Sequence, residues 1–447
     1  MASQADAFRV PALELPYELI SKIFLNCLPR SRRVIPHPRR APLHVSQICA
    51  QWRTVAIATP ELWSSVYLEF LDAKAYYGIP ILFGVPGAEA VDSDHHTADL
   101  LDLWFTRAGH YPLSISLICS KVCNELPKGV LGVLSAHSQH WGRVELQVPM
   151  TDFLVFNLIT GPFPLLQSVG IRIMDYFNPF SSLRINALHS SPNLSALVLR
   201  GLSNNLAPPS LASLAAIPPT LTALQIAAPQ WSLEDLVEIS ERLPHLRHLN
   251  LCTGGLWTIN ENASNRFMSP FQSLSLVSHN FHFLDNCDPS ALEHLEVRLY
   301  HHAFPHFLGN LLLRMESHLT HLTLEVVDMK HSDLIAYLSA APSLISLELM
   351  FHLGSDSVHG EERMRVLRRA DLLPRLRTLR ITDPARKPIY AQFLALLTAR
   401  PMLMAAELRM WSPHPQIRRR MPPPPLHVIA DLKILVASRP GFVGHVY

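Results

Sequence analysis

The sequence is poor in glycine and in charge. It holds 17 glycines against 37 prolines, and charged residues make up 17% of its 447 residues, with a formal net charge of +2. Frequent proline with scarce glycine predicts many element boundaries and few glycine-rich loops. The near-neutral charge supplies no global basic field of the kind that attracts nucleic acid. We therefore expect no nucleic-acid partner.

Cysteine is also sparse, and export or membrane signals are missing. Six cysteines are scattered without a second Cys or His pair at zinc-site spacing, so we expect free thiols in a reducing compartment. The start "MASQADAFRV" lacks the charged-then-apolar run of a signal peptide. The longest uncharged stretch, Gly201 to Leu233, contains "SNN", "PPS" and "PPT", which a lipid-facing helix does not tolerate. These features predict an intracellular protein, cytoplasmic or nuclear, with no membrane contact.

Catalytic motifs are lacking as well. The chain has no glycine-rich phosphate loop, no GxSxG, no HExxH and no CxxC. It has 24 histidines, and His248, His294 and His321 share one column of the repeats described below, but no thiolate or carboxylate completes a metal site. We therefore expect no enzyme activity, no cofactor and no metal. The enzyme hypothesis is supported only by the number of His and Ser residues.

What the sequence does contain is a repeat. The pattern apolar-x-x-apolar-x-apolar returns from Trp141 to Leu403, with clear copies such as "LSALVL", "LRHLNL", "LTHLTL" and "LISLEL". Successive copies start 21 to 32 residues apart, which is close to the range of leucine-rich repeats. The last two apolar positions of each copy are two residues apart and point the same way from a strand. Helix-like sequence such as "SLEDLVEISERLPHL" lies between the copies, so stacked repeats would share one core.

The N-terminal segment has a different pattern. In "LPYELISKIFLNCL" the apolar residues Leu19, Ile20, Ile23, Phe24 and Leu28 recur at helical spacing. After a basic stretch, residues 29–42, the run "LHVSQICAQWRTVAIATPELWSSV" carries a second helical stripe that includes Val45, Cys49 and Trp52 and ends before Pro60. The basic stretch is predicted to be a solvated loop, with a nuclear import signal as the alternative.

These residues resemble an F-box, in particular the F-box proteins of mushroom-forming fungi, which join it to "TPELW" and leucine-rich repeats. The resemblance covers residues 11–65 and implies docking on the Skp-type adaptor of a cullin-RING ubiquitin ligase. By match to the motif, the adaptor surface comprises Leu15, Pro16, Leu19, Ile20 and Ile23. The core of the module comprises Phe24, Leu28, Val45, Cys49, Trp52, Leu62 and Trp63. The basic stretch is longer than the usual link of the family.

The residues between the strand leucines are expected to line a concave face, where ligands of such repeats usually bind. Its first part carries Arg143, Glu145, Arg172, Arg200 and Gln225, and its middle, from Ala223 to Ser275, is small and neutral. We predict that a polar or charged protein substrate binds the later part. The predicted substrate residues are His248, Asn250, His294, Glu296, Arg298, His321, Glu325, Glu348, Arg380 and Arg409.

The sequence therefore predicts an α/β protein in four parts. They are an all-α F-box (11–65), a linker (66–103), a curved leucine-rich-repeat solenoid with a parallel sheet on its concave face (104–410), and a Pro-rich segment with a C-terminal capping helix (411–447). The resemblance implies the substrate-recognition subunit of an SCF-type ligase, with an unknown protein substrate. The alternative is a non-catalytic scaffold that uses the F-box helices for protein interaction outside ubiquitin transfer.

Overall fold

A computed structural model describes most of the chain. The described residues are 15–31, 33–70, 93–119, 126, 129–149, 159, 161–173, 188, 190–200, 217–227, 233–252, 267–268, 271–278, 287–299, 306–315, 318–326, 329, 331–351, 358–383, 389–410 and 424–446. Parts of all four predicted segments lie outside them, including residues 11–14, 71–92, 201–216 and 411–423. The chain divides into two compact units, Met1–Gln225 (unit 1) and Ile226–Tyr447 (unit 2).

Unit 1 begins with helices and continues into a parallel sheet. Strands β1 to β5 pair in chain order, each parallel to the next. The helices are α1 (Tyr17–Asn26), α2 (Leu43–Ser46), α3 (Ala50–Ile57), α4 (Ser93–Ala108) and α5 (Val130–Ala136), with short 3-10 helices at Pro60–Trp63 and Ser138–His140. The strands are β1 (Ser65–Phe70), β2 (Leu113–Cys119), β3 (Trp141–Val148), β4 (Ser168–Ile173) and β5 (Ala196–Arg200). Strand β6 (Ala223–Ala227) spans the division between the units.

Unit 2 repeats a strand and a helix. Its sheet contains β7, β9 and β11 to β16 in that order, all parallel, and β8 and β10 form a separate pair. The strands are β7 (His248–Cys252), β8 (Phe267–Met268), β9 (Ser273–Ser278), β10 (Cys287–Asp288), β11 (His294–Leu299), β12 (His321–Val326), β13 (Ser346–Phe351), β14 (Thr378–Asp383), β15 (Ala405–Met410) and β16 (Val443–Val446). The helices are α6 (Leu233–Arg242), α7 (His306–Arg314), α8 (His331–Ser339), α9 (Val358–Arg368), α10 (Tyr390–Ala399) and α11 (Leu426–Ser438).

The leucine pattern explains the main strands of both units. In "LSALVL" the side chains of Leu194, Leu197 and Leu199 are buried, whereas those of Ala196 and Val198 between them are partly exposed. The same alternation recurs in the later copies, because successive strand residues point to opposite faces. The predicted α/β repeat with stacked parallel strands is therefore confirmed.

A buried arginine joins two helices of unit 2. The guanidinium of Arg400, at the end of α10, donates to the carbonyls of Leu367 (2.5 Å), Leu373 (3.0 Å) and Arg369. A buried charge needs such partners, because an unpaired one is costly to desolvate. Burial lowers the pKa of Arg400.

Two parts of the fold differ from the predicted domain layout. Strand β1 and helix α4 occupy parts of residues 66–103, which we expected to form a linker. The parallel sheet therefore starts at Ser65, before the predicted first repeat. At the other end, helix α11 lies in the segment where we expected a capping helix, and β16 then adds a further strand beside β15.

No helix in the described part of the chain is long and apolar enough to cross a membrane. Cys27, Cys49, Cys119 and Cys252 are in no disulfide within the described part of the chain, and Cys27 is exposed rather than buried.

Candidate functional site

The N-terminal helices form a packed module. Phe24 of α1 meets Trp52 of α3 edge to face, with ring centroids 5.0 Å apart. The hydroxyl of Tyr17 donates to the carbonyl of Ala58 (2.6 Å), and the hydroxyls of Ser21 and Thr59 lie 3.0 Å apart. These contacts fix the rotation of α1 about its axis, and with it the face that α1 presents to solvent.

The exposed side of α1 includes an apolar strip. Leu19 and Ile23 are 47% and 43% exposed, and Pro16 at the N-terminus of the helix is exposed too. Residues three and four apart share one helix face, so these three side chains form one strip, which we call the α1 strip. Leu15 is partly exposed beside it.

Ile20 does not lie on this surface. We predicted it at the adaptor surface, but it is only 1% exposed and lies with Phe24 on the buried side of α1. Ile20 therefore belongs to the core of the module.

The residues predicted for the module core differ in burial. Phe24, Val45, Leu62 and Trp63 are buried. Leu28, Cys49 and Trp52 are only partly buried. The second predicted helix is two helices, α2 and α3, because the Cys49 sulfur accepts a hydrogen bond from the Trp52 amide (3.4 Å) and starts a new helix there.

The basic stretch between α1 and α2 is not a free loop. Val34 and Pro36 are buried, and the carbonyl of Val34 accepts a hydrogen bond from the Tyr67 amide of β1 (2.8 Å). Its described arginines remain exposed. The stretch therefore covers the outer edge of β1.

The exposed face of the unit 2 sheet carries the ten predicted substrate residues in aligned columns. His248 and His294 both lie opposite Ser273, and His294 lies opposite His321. The imidazole rings of His294 and His321 stack on each other, with their centroids 4.1 Å apart. The second column contains Asn250, Glu296, Glu348, Arg380 and Glu407. The third column contains Arg298, Glu325 and Arg409.

The charges on the unit 2 face are paired with one another. The Arg298 guanidinium contacts the carboxylates of Glu296 (2.6 Å) and Glu325 (3.5 Å). Arg380 lies 3.4 Å from Glu407 and 3.7 Å from Glu348, and Arg409 lies 2.7 Å from Glu407. This face thus satisfies its own charges, which the sequence pattern did not reveal.

The exposed face of the unit 1 sheet is different. A groove of about 720 Å³ crosses β1 to β5 and is lined by four arginines and one glutamate, Arg33, Arg143, Arg172, Arg200 and Glu145. We call it the arginine groove. Its other polar lining is neutral and comprises Ser31, Ser114, Ser116, Gln147, Ser168 and Tyr67.

Unit 1 also contains a cluster of histidines. The His137 imidazole lies 2.9 Å from the Asp102 carboxylate, and the rings of His110 and His140 are 5.7 Å apart. Burial lowers the pKa of His140, and His110 and His137 lower it further. No three potential ligands converge on a metal position in the described residues.

Comparison with known proteins identifies no family for this chain. No protein-family profile matches the chain, and no curated protein matches its sequence. Among solved structures, a chain of the yeast Rad7–Elc1 complex aligns with a TM-score of 0.39 at 15% identity, over 82% of this chain and 91% of that one. A Bacteroides fragilis protein aligns with a TM-score of 0.31 at 11% identity. That alignment covers 63% of this chain and 66% of the Bacteroides chain, which is just under two thirds of its length.

Proposed function

We propose that this chain is the substrate-recognition subunit of an SCF-type cullin-RING ubiquitin ligase. Residues 11–65 act as the F-box that docks on the Skp-type adaptor, and the repeats bind a protein substrate. The chain itself is non-catalytic, and the ubiquitin chemistry belongs to its partners.

The α1 strip carries this proposal. A helix that is packed on one side by Ile20 and Phe24 still exposes Leu19 and Ile23 next to Pro16. Full burial of such an aliphatic side chain contributes about 1.5–3 kcal/mol, and roughly half of that remains available for Leu19 and Ile23. An adaptor that covers the strip gains this energy without unfolding the module.

The repeats supply the second half of the proposed role. Their exposed strand faces present columns of side chains on a sheet whose other face is closed by buried leucines. Such a surface binds a partner without rearranging its core. No catalytic group is required for this role.

The test is capture of the purified chain by a purified Skp-type adaptor. We expect the wild-type chain to bind, and the variant Leu19→Asp/Ile23→Asp to lose binding by about a hundredfold, since a buried carboxylate without a partner opposes docking. The matched control is Leu313→Asp/Ile434→Asp, which makes the same change at exposed apolar residues of unit 2. It should bind like the wild type.

A second candidate is a scaffold in which the helices cap the sheet and take no part in ubiquitin transfer. It is favoured by the packing of the module on β1. Trp63 meets Trp104 of α4 edge to face (4.9 Å), and the Trp104 indole donates to the carbonyl of Ser65 (3.1 Å). If a folded wild-type chain fails to capture the adaptor, this candidate replaces the first.

A further inference from the structure

The arginines of the arginine groove have no carboxylate partner in the described part of the chain. The Arg172 guanidinium donates to the amide oxygen of Gln147 (3.3 Å), and that of Arg200 donates to the amide oxygen of Gln225 (2.8 Å). The Arg33 guanidinium stands over the Tyr67 ring, 5.3 Å from its centroid. Neutral acceptors hold these side chains in place and leave their charge uncompensated.

The one carboxylate of the groove has another partner. Glu145, in the middle of β3, accepts a hydrogen bond from the hydroxyl of Ser116 (3.0 Å). Outside the lining, Glu69 of β1 accepts one from the Tyr67 hydroxyl (3.4 Å). The groove therefore has an excess of positive charge, in contrast to the paired face of unit 2.

The dimensions of the groove fit an extended peptide. Arg172 lies directly opposite Arg200 on the neighbouring strand, and Arg33 lies beside β1 at the other end. Strands β1 to β5 are separated by four steps of about 4.8 Å, so these ends are about 19 Å apart, the length of roughly six extended residues.

The floor between these ends is open at Gly170. A Cβ added at Gly170 would meet only ordinary contacts, the Glu145 Cγ at 3.7 Å and the Val198 Cβ at 3.9 Å. Together with Val198, Gly170 leaves room for a small side chain between the flanking charges.

We propose that the arginine groove binds an acidic peptide segment, whose carboxylates pair with Arg143, Arg172 and Arg200. The segment crosses the strands and places small residues over Gly170. This deepens the proposed function, and rests on it, by naming the class of substrate segment that the repeats take. It moves the binding site from the later repeats, which the sequence favoured, to the exposed face of unit 1.

The lining favours a peptide over a single-stranded nucleic acid. Nucleic-acid grooves combine basic residues with several aromatic rings on which bases stack. Tyr67 is the one aromatic residue that lines this groove, and Arg33 already covers its ring.

The test measures retention of rhodamine-labelled peptide pools of about ten residues on the immobilised full chain. One pool alternates Asp or Glu with random neutral residues. Matched pools carry Asn or Gln, Lys, or phosphoserine at the same positions, and an oligothymidylate is the nucleic-acid probe. We expect the acidic pool to bind at least about tenfold better than the amide pool, and high salt to weaken it.

Variants then locate the site. Arg172→Gln/Arg200→Gln should lower binding of the acidic pool about tenfold, and Glu145→Gln should raise it because a repulsive charge is lost. The matched control Arg242→Gln/Arg369→Gln removes the same charge from arginines outside the sheet faces and should bind like the wild type. Circular dichroism confirms that each variant is folded.

Several results would overturn the proposal. They are equal binding of the acidic and amide pools, preference for the oligonucleotide, or loss of binding in Arg380→Gln/Arg409→Gln in place of the unit 1 variant. Preference for phosphoserine over Asp and Glu would keep the groove but identify phosphate as its ligand. Adaptor capture by the same preparations separates these failures from a failure of the proposed function, since the α1 strip is untouched.

Discussion

Among single residues, His321 couples the unit 2 sheet to pH. Burial lowers the pKa of its imidazole below the ordinary 6.5, and the stacked His294 lowers it further, against a smaller opposing effect of Glu293. The unfolded chain therefore binds a proton at His321 at a higher pH than the folded chain does. As the pH falls below about 6.5, proton uptake favours unfolding, and this loss continues down to the folded pKa.

We predict that His321→Asn reduces the acid sensitivity of unit 2. The wild-type chain should lose thermal stability between pH 7.5 and pH 5.5, values of about one unit on either side of the ordinary histidine pKa, and the variant should lose less. Thermal unfolding followed by circular dichroism at the two pH values is the measurement. His318→Asn is the control, and an equal effect of both variants would contradict the prediction.

Also at the residue scale, the sequence predicted the helical stripe of α1, but Ile20, which the resemblance placed at the adaptor surface, is buried. Leu19, Ile20, Ile23 and Phe24 all fit an apolar stripe at helical spacing. The contacts with α3 decide that Ile20 and Phe24 point inward. That orientation depends on a partner helix nearly thirty residues away, which periodicity alone does not contain.

At the scale of elements, helix α4 connects the helical module to the sheet. Trp104 is 1% exposed, packs against Trp63 and donates to the Ser65 carbonyl at the start of β1. The Arg107 guanidinium lies over the Trp63 ring, 4.5 Å from its centroid. One helix thus fixes both the end of the module and the first strand.

We predict that Trp104→Ala destabilises this junction by about 3–5 kcal/mol, because it leaves a cavity and removes the hydrogen bond to Ser65. Urea unfolding monitored by circular dichroism measures the change. Leu103→Ala, on the exposed side of the same helix, should cost less than about 0.5 kcal/mol. Similar shifts in the two variants would show that α4 does not connect the module in this way.

Strands were predicted where the leucine pattern repeats many times, and strands β1 and β16, which lie outside the leucine copies, were missed. The leucine copies were repeated often enough to locate most strands. In β1, Val66, Leu68 and Phe70 alternate correctly, but the strand stands outside the copies and follows the "TPELW" run directly. Strand β16 has four residues, includes Gly444 and buries none of its described side chains, so it carries almost no period-two signal.

At the scale of the whole molecule, the two units use one strand pattern but balance charge differently. Unit 2 pairs Arg298, Arg380 and Arg409 with glutamates, whereas the arginine groove of unit 1 leaves Arg172 and Arg200 on neutral amides. The sequence revealed which residues share a face, because alternation fixes that. It did not reveal the pairing, because pairing depends on strand register and on the reach of individual side chains.

We predict that unit 2 gains acidic-peptide binding when its carboxylates are neutralised. Glu348→Gln/Glu407→Gln removes the two carboxylates that contact Arg380 in the described part of the chain, and isothermal titration with the acidic pool should then show a second binding site per chain. Glu238→Gln/Glu241→Gln on α6 makes the same charge change away from the sheet. A single site in both variants would contradict this explanation of the difference between the units.

The separation of buried and exposed positions along each strand has a consequence for the evolution of such proteins. The buried leucines and the exposed side chains that we propose for partner binding occupy alternate positions, so a substitution at one set leaves the other intact. A duplicated gene of this kind can exchange its partner by a few point mutations while its architecture is inherited unchanged. Natural selection can therefore act on recognition and on folding as two nearly independent traits.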